Sequence, residues 1–343
     1  MVTVITGKSG KQILIRSKDD IDNSFSFLDV IERVDNLPED YAISEEFKKN
    51  VYYLTTHTGV KIGFVCRFVV QEMKRVNFRL MEKMFTVDET QHEIRFTSDS
   101  FETRNEQIAS LAHEMCQTST IEGVKGWRNE RYPVWVDKTP YVLVERAAAG
   151  ILGIVTYGVH INGYLYDSVT GEIKFWVPRR SATKPTWPSL LDNTVAGGIG
   201  YPCGVYETVL KEASEEASLK KDMIEENVIS TGVVTYLFYQ GNTKLEKFNT
   251  ENSFIVGEVE HTFDLFFPNG TIPTPNDNEV ESFKLLTLQQ VIDALQNNEF
   301  KPNCGLILVD FLIRHGYITA ENEPNYIEIV CRMHRKLPFP LLS

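Results

Sequence analysis

The chain has 343 residues and a formal charge of -12, a length that suggests two domains. Apolar residues make up 42% and charged residues 24%, as in an ordinary globular protein. The acidic balance disfavours a surface built for nucleic acid or anionic membranes, so neither is expected as a partner. No apolar run reaches the ~20 residues of a membrane span. Cys66, Cys116, Cys203, Cys304 and Cys331 are scattered, with no C-x-x-C pair, which points to a reducing compartment. The start, Met1 to Lys8, lacks the apolar stretch of a signal peptide, and the cytoplasm is the expected location.

In chain order, residues 1–150 read as a smaller α+β domain. Helical patterns cover Ser24 to Val34 and Arg104 to Cys116, and strand-like runs cover Val51 to Thr55, Lys61 to Val65 and Glu93 to Thr97. A second domain is expected over 151–343. It opens on a β-rich stretch, Ile151 to Tyr164, followed by a strand over Glu172 to Pro178 with Arg179, Arg180 and Ser181 at its end. Trp187 to Asp192 is turn-rich. The glycine-rich loop Ala196 to Gly204 then runs into a helix from Val205 to Leu219. Beyond it, strands are expected over Ser230 to Phe238, Ser253 to Phe267 and Glu279 to Leu286, with a turn at Pro268-Asn269-Gly270. Helices over Leu288 to Asn297 and Cys304 to His315 complete an α/β arrangement in which a mixed sheet lies between helices.

The helix after the glycine loop carries the chemistry. Val209, Leu210, Ala213 and Ala217 form an apolar stripe. Glu212, Glu215 and Glu216, at i, i+3 and i+4, share the neighbouring face. Three like charges there repel one another unless a cation joins them. Mg²⁺ takes a few carboxylate oxygens together with water and phosphate oxygens. Gly197 and Gly198 would let backbone N–H groups approach a phosphate beside the helix N-terminus. A solvated acidic face is the plain alternative. Arg179, Arg180 and Lys184 form a cationic group in an acidic chain, and a guanidinium fork matches phosphate oxygens. A surface pair balancing nearby acids is the alternative there. His160 and Asn162 share one face of a strand. His113-Glu114 lacks the spacing of a zinc helix, and Cys203 has no base partner in view.

The loop and helix resemble the Nudix box, G-x5-E-x7-R-E-U-x-E-E-x-G-U, where U is a bulky apolar residue. Gly197 falls on the first Gly, Lys211 on the Arg, Glu212, Glu215 and Glu216 on the three central glutamates, and Leu219 on the last apolar position. Cys203 stands in place of the first Glu, Ala213 of U and Ser218 of the second Gly. Nearly the whole chain is similar to fungal and plant Nudix proteins labelled thiamine pyrophosphokinase-related. The similarity runs through Leu143 to Ala149, Tyr157 to Tyr164, Trp176 to Lys184, Leu191 to Gly198, Asn278 to Phe283, Lys301 to Cys304, Asp310 to Gly316 and His334 to Pro340.

The resemblance implies a Nudix α/β/α sandwich preceded by an N-terminal domain of unassigned role. It implies Mg²⁺ or Mn²⁺ on Glu212, Glu215 and Glu216, with Glu215 or Glu216 also orienting water. It implies a further carboxylate from a later strand, Glu281 ahead of Glu279. The implied substrate is a small-molecule diphosphate: thiamine diphosphate-like compounds, oxidised or damaged oxo and oxy forms foremost, cleaved to monophosphates. Arg179, Arg180, Lys184, Gly197 and Gly198 would then meet the diphosphate, and His160 and Asn162 the thiazole or pyrimidine part. The competing readings are a Nudix hydrolase of another organic diphosphate, a Nudix-fold isomerase using a pocket cysteine, and a non-catalytic Nudix ligand sensor. Oligomeric state is left open.

Overall fold

The computed structural model describes residues 2–7, 10–16, 25–239 and 247–342. Strands β1 (Val2–Thr6) and β2 (Gln12–Arg16) form an antiparallel hairpin. Helix α1 (Leu28–Glu32) covers the middle of the helix expected over Ser24 to Val34, and Ser24 lies outside the described residues. Helix α2 (Glu45–Asn50) starts where the Ser44 hydroxyl accepts from the Phe47 amide. Strands β3 (Val51–Thr55) and β4 (Lys61–Cys66), helix α3 (Arg67–Met84), and strands β5 (Phe85–Asp88) and β6 (Glu93–Phe96) follow. The strands form a four-stranded sheet in the order β4-β3-β6-β5. Helix α4 (Phe101–Thr118) begins three residues before the expected Arg104, because Ser100 caps it by accepting from the Thr103 amide.

Two elements that sequence patterning did not foresee lead into the second half. The hairpin β7 (Arg131–Val136) and β8 (Thr139–Glu145) is followed by the short helix α5 (Arg146–Leu152). Ile151 and Leu152 therefore close a helix instead of opening a strand. Gly153 ends it at φ 54, and a Cβ there would lie 2.3 Å from the Phe64 carbonyl oxygen. Only glycine satisfies both the left-handed turn and the close approach to β4.

The second half holds strands β9 (Val155–Tyr166), β10 (Ile173–Arg180) and β11 (Val195–Gly198). Helices α6 (Val205–Ala217) and α7 (Lys221–Asn227) come next, then strands β12 (Val228–Tyr239), β13 (Ile255–Phe266) and β14 (Val280–Thr287). Helices α8 (Leu288–Gln296), α9 (Pro302–Arg314) and α10 (Tyr326–Arg332) close the chain. The sheet is six-stranded and mixed. Along one edge β9 runs parallel to β13 over ten consecutive pairs, Val155 to Tyr164. The other edge is shared: β10 pairs antiparallel with Gly163 to Tyr166, and β11 takes over from Gly158 to Ile161. This change of partner splits the sheet.

Each sheet face buries its own apolar cluster. Val209, Ala213 and Ala217 of α6 pack with Val159 and Ile161 of β9 and with the four-stranded sheet. On the other face, α8 and α9 pack on Ile173, Phe175 and Val177 of β10, joined by Val2, Leu14, Val30 and Ile31 from the chain's first segment. The helix–sheet–helix layering is that of the expected mixed α/β class. Among the described residues, no helix is long and apolar enough to cross a membrane.

Candidate active site

A cavity of about 350 Å³ opens at the split in the sheet. Its walls come from Thr156, Gly158 and His160 on β9, Ala196 to Gly198 on β11, Glu212 and Glu216 on α6, and Glu258 and Glu260 on β13. Arg128, Arg146, Arg180, Lys184 and Lys301 bring cations to the same space, and Glu279 one more acid. Carboxylates and cations facing one hollow suit a ligand with phosphate groups and a metal counter-ion.

The α6 wall rests on backbone without side chains. Gly197 and Gly198 are not in a loop: they end β11, paired with Val159 and Gly158. A Cβ on Gly197 would lie 2.4 Å from the Glu212 carboxyl carbon, and one on Gly198 would lie 2.1 Å from the Tyr132 hydroxyl. The glycines therefore admit Glu212 and Tyr132. The Ala196 N–H donates to Glu216 at 3.0 Å. Burial drives the Glu216 carboxyl far above its ordinary range, with the charges of Asp192 and Glu212 adding to the effect and the Ala196 amide opposing it. Burial likewise raises Glu212, which Lys211 partly offsets. Both carboxyls face the cavity half-buried.

Glu215 faces elsewhere. Its side chain is 56% exposed, 3.7 Å from Lys211, and does not line the cavity. The helix itself causes this: at 100° per residue, Glu215 and Glu216 cannot face the same way, and Glu212 sides with Glu216. At the helix end Ser218 takes φ 55 and ψ 28, the left-handed state that explains a glycine at this place in the box pattern.

The cationic group divides. Arg180 is buried; it donates to Asp192 at 2.6 Å and to the carbonyls of Thr186 and Trp187, so its guanidinium fixes the turn beside the cavity as well as lining it. Arg179, the next residue on β10, points the other way and donates to the Ser189 carbonyl outside the cavity. Lys184 lines the cavity and pairs with Glu279. Glu281, expected ahead of Glu279, is exposed on β14 and outside the cavity; the register shift that pairs Ser282 with Arg179 and Val280 with Arg180 leaves it as the extra residue of a bulge. His160 lines the cavity, its Nδ1 donating to Asn193 at 2.7 Å and its Nε2 3.6 Å from Glu260. Asn162, on the same face, lies deeper: it donates to the Ile307 carbonyl of α9 and accepts from Asn193, so it supports His160 without reaching the cavity.

Five charged groups of the cavity were missed: Arg128, Arg146, Glu258, Glu260 and Lys301. Glu258 and Glu260 alternate with apolar residues on β13, a pattern that reads as a solvated face. Yet both point into the cavity, Glu260 buried and Glu258 half-buried, with the Tyr236 hydroxyl within hydrogen-bond reach of each. Burial and the neighbouring Glu260 raise Glu258. Burial acts on Glu260 too, but His160 outweighs it and holds Glu260 on the ionised side. Burial opposes charge on His160, and Glu260 overrides it, so the imidazole is held protonated. One Glu260 oxygen has no hydrogen-bond partner, and a Cβ on Gly158 would lie 2.2 Å from it. Lys301 stands at the N-cap position of α9 without a side-chain capping bond. Burial opposes its charge, and Cys304, Asp192 and Glu258 restore it. Cys203 lies outside the cavity, and the Cys304 thiol is buried and donates to Asp192 at 2.7 Å, raised by burial. Neither therefore stands in the cavity, where an isomerase would need its cysteine.

Among the described residues, no three His, Cys, Asp or Glu side chains form a ready metal cage. Mg²⁺ does not require one, because it takes one or two carboxylates and completes its shell with water and phosphate. Glu212 and Glu216, half-buried and facing the cavity beside a glycine wall, fit such an ion.

Residues 30–156 match a family model described as a domain of unknown function, DUF4743. The chain is 56% identical over 334 residues to uncharacterized protein YJR142W of Saccharomyces cerevisiae, covering 97% of this chain and 98% of that one. It is 33% identical over 238 residues to Nudix hydrolase 24, chloroplastic, of Arabidopsis thaliana, and 34% over 240 residues to Nudix hydrolase 20, chloroplastic, of the same plant. Those matches cover 68% of this chain and about 60% of each plant protein's length. The chain belongs to the Nudix hydrolases. Within them it shares a family with the yeast protein YJR142W.

Proposed function

We propose that this protein is a metal-dependent diphosphatase that cleaves thiamine diphosphate-like compounds, oxidised oxo and oxy forms foremost, to their monophosphates. The observation that carries the diphosphatase reading is the cavity in which Glu212 and Glu216 face Arg128, Arg146, Arg180, Lys184 and Lys301. The thiamine class rests on the resemblance of the long matching stretches, including His160, which lines the cavity. The cytoplasm remains the proposed location.

Nudix hydrolases generally act with divalent ions. An ion of Mg²⁺ or Mn²⁺ type on Glu212 and Glu216 would neutralise phosphate charge and lower the pKa of an attacking water. The chain's own groups do the rest. The Ala196 amide orients Glu216. Lys301 and Lys184 offset the diphosphate charge, while Arg180 keeps the turn at Thr186 and Trp187 against the substrate. Glu260, kept ionised by His160 and lining the cavity, accepts the proton of the attacking water. Water adds to the terminal phosphorus, the bond to the bridging oxygen breaks, and a monophosphate and inorganic phosphate leave.

The test is a panel: thiamine diphosphate, its oxo and oxy analogues, ADP-ribose and a dinucleotide, each scored by kcat/KM with Mg²⁺ or Mn²⁺. Highest values on the thiamine analogues support the reading. Turnover only on other diphosphates replaces the substrate class, and binding without turnover replaces the enzyme with a sensor.

A further inference from the structure

The matched segment 30–156 has no assigned role, yet its last part stands in the cavity. Arg128, Tyr132, Arg146, Ala149 and Gly150 line the same space as Glu212 and Glu216. They are built into it. The Tyr201 amide donates to the Arg131 carbonyl at 2.8 Å, tying β7 to the chain that follows β11, and the Tyr132 hydroxyl occupies the room left by the missing side chain of Gly198. The Arg128 amide donates to Glu145 at 2.8 Å, and the Arg146 amide to the Glu130 carbonyl at 2.8 Å. Both arginines are thereby fixed at the backbone while their guanidinium groups stay available. Arg128's guanidinium has no ion-pair partner among the described residues. Arg146 meets Glu130 at 2.8 Å, with 46% of its side chain still exposed.

Charge at this rim is unbalanced toward anions. Glu279 is the acid there, and it is paired with Lys184. Burial would raise its carboxyl, but Lys184, Arg146 and Arg128 together hold it below the usual range. Glu130 partly balances Arg146, whereas Arg128 adds positive potential that no ion pair cancels among the described residues. A terminal phosphate carries close to two negative charges at neutral pH, an internal phosphate one, and guanidinium groups bind such oxygens in a fixed fork.

We propose that segment 30–156 supplies one wall of the active site, with Arg128 and Arg146 binding the terminal phosphate of the substrate. The inference rests on the diphosphatase reading and sharpens it. The cavity selects organic diphosphates with a free terminal phosphate over bridged diphosphates capped at both ends.

The full chain tests this as wild type, Arg128→Ala, Arg146→Ala and Arg146→Lys. KM and kcat are measured on thiamine diphosphate and on ADP-ribose, calorimetric binding on methylenediphosphonate, and folding by thermal melting. Loss of one charge-assisted contact predicts about a tenfold rise in KM for each alanine variant on the diphosphate with a free end. It also predicts little change in melting, a matching loss of methylenediphosphonate binding, and partial rescue by Arg146→Lys. Turnover by the wild type with KM unchanged in the variants overturns the wall and leaves the hydrolase reading intact. A wild type that binds methylenediphosphonate without turnover, with binding lost in the variants, overturns the hydrolase reading and keeps the wall.

Discussion

Gly197 and Glu212 are packed so closely that a single methyl group on the glycine would lie 2.4 Å from the glutamate's carboxyl carbon. The acid wall of the cavity therefore depends on a residue that carries no charge. Gly197→Ala forces Glu212 out of position, and a displacement near 1 Å of an aligning group costs about 100-fold in rate. Steady-state kinetics should show kcat/KM falling by about that factor, while far-UV circular dichroism stays like the wild type.

Ser218 ends α6 in the left-handed conformation. A non-glycine residue there costs about 1 kcal/mol relative to glycine. Ser218→Gly should raise unfolding free energy by up to about 1 kcal/mol in urea titration without loss of activity. A destabilised variant would mean that the serine makes up the cost elsewhere.

Arg180 and Asp192 form a buried pair at 2.6 Å, each side chain 11% exposed. Removing one partner of such a pair leaves a charge without compensation and costs about 3–5 kcal/mol. Arg180→Met should lose stability on that scale and free the turn at Thr186 and Trp187. The double variant Arg180→Met, Asp192→Asn should regain part of it.

Glu72 lies far from the cavity and reports on acid stability. Arg75, Ser119 and Thr120 donate to it, and with Arg75 foremost they pull its carboxyl down to about 2 from an ordinary 4.5. A depressed folded value means the contribution is full above pH 4.5 and is lost as the pH falls toward 2. Because the Arg75 side is half exposed, about 1–2 kcal/mol is expected from this group after screening. Glu72→Gln should remove that share of the acid-side slope in denaturation measured from pH 5 to pH 2.

The layering of the second half was legible because its periodicities are strong. Val205 to Ala217 shows a helical stripe, and Ile255 to Phe266 a long strand bounded by a turn at Pro268. The site was legible through spacing: Glu212 and Glu216, four apart, do share a wall. Glu215 was not separable from them, because sequence offset alone does not say which side of a stripe meets a cavity. Glu258 and Glu260 escaped because alternation signals a strand with one wet face. Their strand is central, and its length with apolar residues at both ends was the signal that both faces are covered. The β7–β8 hairpin escaped because Pro133 and Pro140 interrupt the strand pattern, and with it went the arginines at the cavity rim.

The central claim is that Glu216 serves cation-dependent cleavage of a diphosphate. The most direct measurement is phosphate release from oxothiamine diphosphate by wild type and Glu216→Gln, with and without Mg²⁺ or Mn²⁺. The account predicts metal-dependent release by the wild type and a loss of at least about 100-fold in the variant. Equal release by both proteins, or release that ignores the metal, would contradict it.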